Sequence, residues 1–161
     1  MPKSIKVTPG AGLRVKKTGV FNLDKIYKDL HSWLDMHHYT IHEKEHTDKE
    51  SDKGHTIITK WLAEREIDDL AKFESNIAFL GAKIHKTDNG LFKGSIHIII
   101  SASVILDYKK KWTANAFSNF LFDIYTKYIT KDKINDYYGA NLVNELLVFH
   151  KLAKSLLEMY P

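Results

Sequence analysis

Residues 94–108, GSIHIIISASVILDY, alternate over nearly their whole length, and this regularity restricts the fold more than any other stretch of the chain. Ile96, Ile98, Ile100, Ala102, Val104, Leu106 and Tyr108 fall on one side of an extended strand. Ser95, His97, Ser101, Ser103 and Asp107 fall on the other. A period of two over such a run describes a strand with one dry face and one wet face, as in antiparallel sheets. The dry face needs a covering layer, and the rest of the chain has to supply it.

Neighbouring segments repeat the pattern. GHTIITKWLAERE sets Ile57, Thr59, Trp61 and Ala63 on one side, and LAKFESNIAFL does the same with Ala71, Phe73, Ser75, Ile77 and Phe79. KTDNGLFKG has turn chemistry, so the three strands form a meander. Ahead of them, SIKV, TPGAG and LRVKK read as a hairpin turning at Pro9, Gly10 and Gly12. A helix is expected over residues 23–37, capped by Asn22, with Phe21 stapled to Ile26 and a stripe of Ile26, Leu30, Trp33, Leu34 and His37. After the meander, Thr113 caps a helix whose stripe is Phe117, Phe120, Leu121, Ile124, Tyr128 and Ile129, and a last helix spans 132–158. The expected architecture is one α+β domain over 1–161. It has an antiparallel sheet meander with an N-terminal hairpin, one helix before the sheet and two C-terminal helices packed on one face.

Composition narrows the chemistry. A chain of 161 residues that is 43% hydrophobic suits a single core. It has no cysteine, which removes disulfides, thiolate metal sites and a cysteine nucleophile. The longest apolar stretch, IHIIISASVIL, is interrupted by Ser101 and Ser103, so the chain reads as cytoplasmic with no membrane partner. Five of its 24 basic residues, Lys3, Lys6, Arg14, Lys16 and Lys17, lie in the first 23 positions with no acid among them. The rest then carries 19 bases against 20 acids, so positive charge belongs to a basic N-terminal arm, residues 1–20. Only Arg14 and Arg65 are arginines, which disfavours bidentate readout of bases.

HHYTIHEKEHTDKES places His37, His38, His42 and His46 close together. Tyr39, Thr40 and Ile41 make the stretch a strand, in which His38, His42 and His46 share a face but sit about 13 Å apart at every fourth position. Bonds near 2 Å cannot span that gap, so no metal is expected. Glu64, Arg65, Glu66, Asp68 and Asp69 read as a solvated strand end, with Arg65 balancing the acids. Ser95, His97, Ser101 and Asp107 lie in a row rather than converging on one atom, and no nucleophile elbow accompanies them. PGAGL lacks the length and lysine of a phosphate loop. His85 and His150 read as surface histidines. No catalytic residue and no cofactor is expected.

Two surfaces remain. Lys109, Lys110 and Lys111 beside Trp112, taken with Lys3, Lys6, Lys16 and Lys17, offer weak, nonspecific contact to nucleic acid. The last helix carries Leu142, Leu146, Phe149, Ala153 and Leu156 on its main stripe, yet Leu147, Val148, Leu152 and Leu157 lie off it. Either the preceding helix covers that surplus within the chain or another copy does, and the second alternative predicts an interface.

ITKWLAEREIDDLAKF, LDYKKKW and FLFDIYTKYITKDKI together resemble a group of uncharacterised small archaeal and metagenomic proteins, over about residues 20–158. In these a tryptophan strand precedes a D-Y-x-x-x-W junction and two C-terminal helices. The resemblance implies that fold and carries no activity. The function expected from the sequence is a non-enzymatic assembly protein forming a homo-oligomer or filament through the C-terminal helix and the N-terminal arm. The alternatives are a nucleic-acid-associated protein and a small-ligand-binding α+β domain.

Overall fold

The structure, a computed structural model, describes residues 3–6, 8, 12–68, 71–106, 116–124 and 140–159. In chain order the elements are β1 (Lys3–Lys6), β2 (Leu13–Phe21), α1 (Leu23–Met36), β3 (Thr40–Ser51), β4 (Gly54–Glu66), β5 (Ala71–Lys86), β6 (Phe92–Leu106), α2 (Ala116–Ile124) and α3 (Ala140–Glu158). The strands form one open antiparallel sheet in the order β1-β6-β5-β4-β3, with β2 also paired to β6. The class is α+β, and the meander β4-β5-β6 is as the alternation requires.

The N-terminal hairpin is corrected. β1 and β2 do not pair with each other; both run antiparallel to β6, Lys3–Lys6 against Leu106–Ser103 and Leu13–Phe21 against Ile100–Phe92. They lie end to end along one edge of β6; Pro9 and Gly10, where a hairpin turn is expected, lie outside the described residues. Across the gap, the Thr8 hydroxyl accepts the Ala102 N–H at 3.3 Å, replacing a backbone partner. At Gly12 φ is +117°, and a Cβ there would sit 2.5 Å from the Ile100 carbonyl oxygen. The N-terminal arm is therefore the edge of its own sheet, and α1 follows two strands rather than preceding the sheet.

α1 begins as its sequence dictates. The Asn22 side-chain oxygen accepts from Lys25 N at 3.1 Å, and Leu23, Ile26, Leu30 and Leu34 are buried. The helix ends through His38, whose φ of +66° takes the left-handed position while Tyr39 N–H reaches back to the Leu34 carbonyl. α3 buries Leu142, Leu146, Phe149, Ala153, Leu156 and Leu157, touches α1, and lies over β2 and β6. Together α1 and α3 cover one sheet face, the inner one. There Ile96 through Leu106 of β6 meet Phe73, Ile77 and Phe79 of β5 and Trp61 of β4. Phe79 meets Tyr27 and Trp61 edge to face with centroids 5.0 and 4.7 Å away, Tyr27 and Trp61 tilt against each other at 6.0 Å, and Trp33 bridges to Phe149 at 5.1 Å. α3 is packed on this face as expected; of α2, the described side chains Phe117, Phe120 and Leu121 are exposed, and the side chain of Ile124 lies outside the described residues. The inner face is already filled by α1 and α3. Residues 132–139 of the last expected helix, and Tyr128 and Ile129, lie outside the described residues.

The crossing at Gly12 yields a comparison. Gly90 also has positive φ, +80°, but a Cβ there meets nothing within 4 Å. Gly90→Ala is expected to cost about 1 kcal/mol, the conformational penalty alone. Gly12→Ala adds a clash with backbone and should cost at least about 1 kcal/mol more. Urea unfolding of both variants checks this, and equal losses would contradict the end-to-end arrangement.

Candidate functional site

The densest charged segment, at the end of β4, divides between the two sheet faces because neighbouring strand residues point opposite ways. Arg65 turns to the helix side. Its guanidinium meets Glu145 of α3 at 2.9 Å and the His37 carbonyl at 3.0 Å, and lies over the rings of Tyr39 and Phe73. The Tyr39 hydroxyl donates to the same Glu145 carboxylate at 2.7 Å, and burial together with that bond pushes its pKa above the ordinary phenolic range. Glu64 turns outward, where burial alone would raise its carboxyl. Lys72 at 3.1 Å and His42 at 3.4 Å outweigh that effect and hold it below the usual range. Asp68 caps the β4–β5 turn by accepting from Ala71 N at 2.7 Å. Arg65 therefore balances an acid on α3 rather than its sequence neighbours, and the carboxylates do not converge. Asp69 lies outside the described residues.

The histidine-rich stretch is a strand as expected, with one change. The β3–β4 register slips between Glu43 and Glu45, a bulge at Lys44, which reverses the facing of everything beyond it. His42, opposite Leu62, faces outward to Glu64. His46, opposite Thr59, faces inward and pairs with the Thr59 hydroxyl at 3.0 Å, which also meets Tyr27 OH at 3.2 Å. His38 occupies the turn after α1. The three do not share a face, and among the described residues no group of three metal-ligating side chains comes together.

The outer sheet face carries no packed helix among the contacts of the described residues. Cross-strand register aligns its side chains in rows. One row is Lys16, His97, Leu80 and Ile58, across β2, β6, β5 and β4; the row beside it is Thr18, Ser95 and Ala82, with Thr56 on β4 near its end; the row on the other side is Arg14, Ile99, Ala78 and Lys60. A trough of about 560 Å³ runs between the first two rows. A smaller hollow of about 170 Å³, lined by Lys60, Ala78, Ile99 and Ser101, lies farther along the face. His97 Nε2 is shielded from water and has no hydrogen-bond partner. Ser95, His97, Ser101 and Ser103 do lie in a row, but the polar face read from β6 omits Ile99 and Ile105. These isoleucines stand in the run IHIIISASVIL on the side assigned to serines. With Ile58 and Leu80 from other strands they make the outer face half apolar.

Among the described residues, the expected basic contacts point in different directions. Lys17 turns inward, and its ammonium donates to the Leu157 carbonyl at the end of α3, where the helix dipole favours a cation. His150, read as a surface residue, donates to the Arg14 carbonyl at 3.0 Å and ties α3 to the β2 edge. Arg14 and Lys16 are exposed beside Lys154 along a cleft of about 490 Å³ between β2 and α3. Lys6 lies farther along the edge, on β1, as does Lys3, whose side chain is outside the described residues. Lys109, Lys110, Lys111, Trp112 and Asp107 also lie outside the described residues.

Of the expected interface residues, Leu147 and Val148 are half exposed, at 50% and 55%. Leu152 is half buried against the core, and Leu157 is core, at 1%. Leu157 falls four residues after Ala153, on the inward stripe, and the small Ala153 side chain leaves room beside it. The larger apolar exposure is on α2, where Phe117, Phe120 and Leu121 share one face at 71%, 60% and 49% exposure. That stripe is visible in the sequence, where its spacing predicts packing on the sheet. No family model, curated protein or solved structure matches the chain. Among the described residues, no helix is long and apolar enough to cross a membrane.

Two imidazoles are shifted in opposite senses. Asp48, 2.7 Å from His55 Nδ1, raises the His55 pKa above its ordinary value near 6.5. Burial, then Lys16 and Arg14, lower that of His97. The His55 pairing therefore contributes stability below about pH 6.5 that is lost as pH rises through its raised value. His97 acts the other way: its contribution is present above about pH 6.5 and lost as pH falls through its lowered value. Proton NMR titration should place the two midpoints on opposite sides of 6.5, with Asp48→Asn returning His55 toward it; coinciding midpoints would refute the opposed shifts.

Proposed function

We propose that the chain is a non-catalytic, cytoplasmic assembly protein whose copies associate through the two C-terminal helices. The carrying observation is the exposed α2 stripe of Phe117, Phe120 and Leu121, spaced i, i+3, i+4 on one helix face. Aromatic side chains left in water at that spacing are a helix-in-groove anchor, and burying each is worth roughly 1.5–3 kcal/mol. Leu147 and Val148 extend the apolar surface, with Leu152 at its border. Two half-exposed residues fall well short of the ~800 Å² per partner that a stable interface needs, so α2 carries most of the contact. Leu157 takes no part, and the N-terminal arm enters only as a sheet edge.

Light scattering coupled to size exclusion tests the reading. The wild type should elute as an oligomer whose mass rises with concentration. Phe117→Ser, Phe120→Ser and Leu121→Ser combined should elute as a monomer with an unchanged circular dichroism spectrum, because none of the three is core. A wild type that stays monomeric at high concentration would refute it.

A second reading, weak nonspecific nucleic-acid binding, is favoured by the juxtaposition of Arg14, Lys16 and Lys154 along the cleft between β2 and α3. Its affinity for a labelled oligonucleotide should fall steeply between 50 and 200 mM salt, as counterion release requires. No polarisation change at low salt would dismiss it.

A further inference from the structure

The trough on the outer sheet face combines three features that its structural role does not need. Its floor is apolar: Leu80 and Ile58 are half buried with no helix packed above them among the described residues, and Gly81 and Ala82 beside them add little bulk. One end is basic, since Lys16 is the cross-strand neighbour of His97 and Arg14 lies two residues away on the same side of β2. Between floor and basic end sits an imidazole nitrogen that the fold shields from water and leaves without a partner. Orphaned buried polar atoms are rare in folded proteins, and one lining a hollow marks a place where a ligand atom completes the bonding.

We propose that this trough binds a small, soluble amphipathic carboxylate. Its apolar chain lies along the Leu80–Ile58 row, and its carboxylate lies between His97 Nε2 and the side chains of Lys16 and Arg14. The volume, about 560 Å³, lies within the range of small-molecule sites. From β2 to β4 the row crosses three strand spacings, about 14 Å, which suits a medium-length alkyl chain. Burial, then Lys16 and Arg14, favour the neutral imidazole, which donates from Nε2 in the tautomer that carries its proton there, and a bound carboxylate would favour the protonated ring. Lys16, exposed and adjacent, has to swing aside to admit the ligand, and its ammonium can then follow the negative charge. The floor rules out a bare inorganic anion as the best ligand. Among the described lining residues there is no Phe, Tyr or Trp, so the trough offers a base no broad stacking platform.

The test follows the imidazole resonances of the full-length protein during titration with decanoate, decanol and acetate. Decanoate should shift His97 saturably and raise its titration midpoint, while the other eight histidines move little. Decanol lacks the charge and acetate lacks the chain, so each should bind at least about tenfold more weakly. Lys16→Glu should weaken decanoate about tenfold, and Leu80→Asp should abolish the His97 shift. The combined α2 serine variant should bind decanoate as the wild type does, which separates this site from the assembly surface. No saturable shift at His97, decanol binding as tightly as decanoate, or indifference to Lys16→Glu would each overturn the proposal.

Discussion

Strand β6 is paired on both sides. β5 accompanies it from Phe92 to Leu106, and on its other side β2 and β1 share its length end to end. Its inner residues from Ile96 to Leu106 are almost wholly dry, and they can be so only because two helices meet over them. α1 is delivered to that face because it follows β2, and α3 reaches it from the other end of the chain. Three polar contacts then hold α3 in place: Glu145 to Arg65 and Tyr39 near its start, His150 to the β2 edge, and Lys17 at its last carbonyls. With the helix fixed in rotation, Leu147 and Val148 are committed to the outside.

The two faces of the same strands serve different ends. The inner face is closed and aromatic, with a small polar inclusion where Thr59 joins Tyr27 and His46. The outer face mixes isoleucine and leucine with alanine, serine and one unsatisfied histidine, a composition that neither packs a helix nor dissolves wholly in water. The assembly surface on the C-terminal helices and the trough behind the sheet are built from different residues, and neither reading depends on the other.

Much of the fold was legible from residue period. The inward sets of β4, β5 and β6, the Asn22 cap and the α1 stripe all stand as the sequence implies, because alternation and helical spacing are set by backbone geometry alone. What could not be read was how the pieces are joined. A glycine and proline cluster between two short strands is the signal for a hairpin, and only the length and greasiness of β6 hint that both strands are needed along it. The bulge at Lys44 leaves no mark in HHYTIHEKEHTDKES, yet it sends His42 and His46 to opposite faces. Arg65 stands among acids in sequence, but its partner is eighty positions away. Leu157 lies off the main stripe of the last helix yet packs inward beside Ala153, whereas the exposure of Phe117 and Phe120 is a property of tertiary packing that no local pattern carries. His97 was noticed for its neighbours on β6; the cations and apolar floor around it come from three other strands.

The order of pairing also bears on synthesis at the ribosome. The sheet edge made first, residues 3–21, has no hydrogen-bonding partner until the segment ending at Leu106 has left the exit tunnel, whereas β3, β4 and β5 can pair in sequence as they emerge. The nascent chain must therefore carry two unsatisfied strands and an uncovered α1 through most of its translation. Arg14, Lys16 and Lys17 of β2 keep that waiting segment in water rather than in contact with its neighbours.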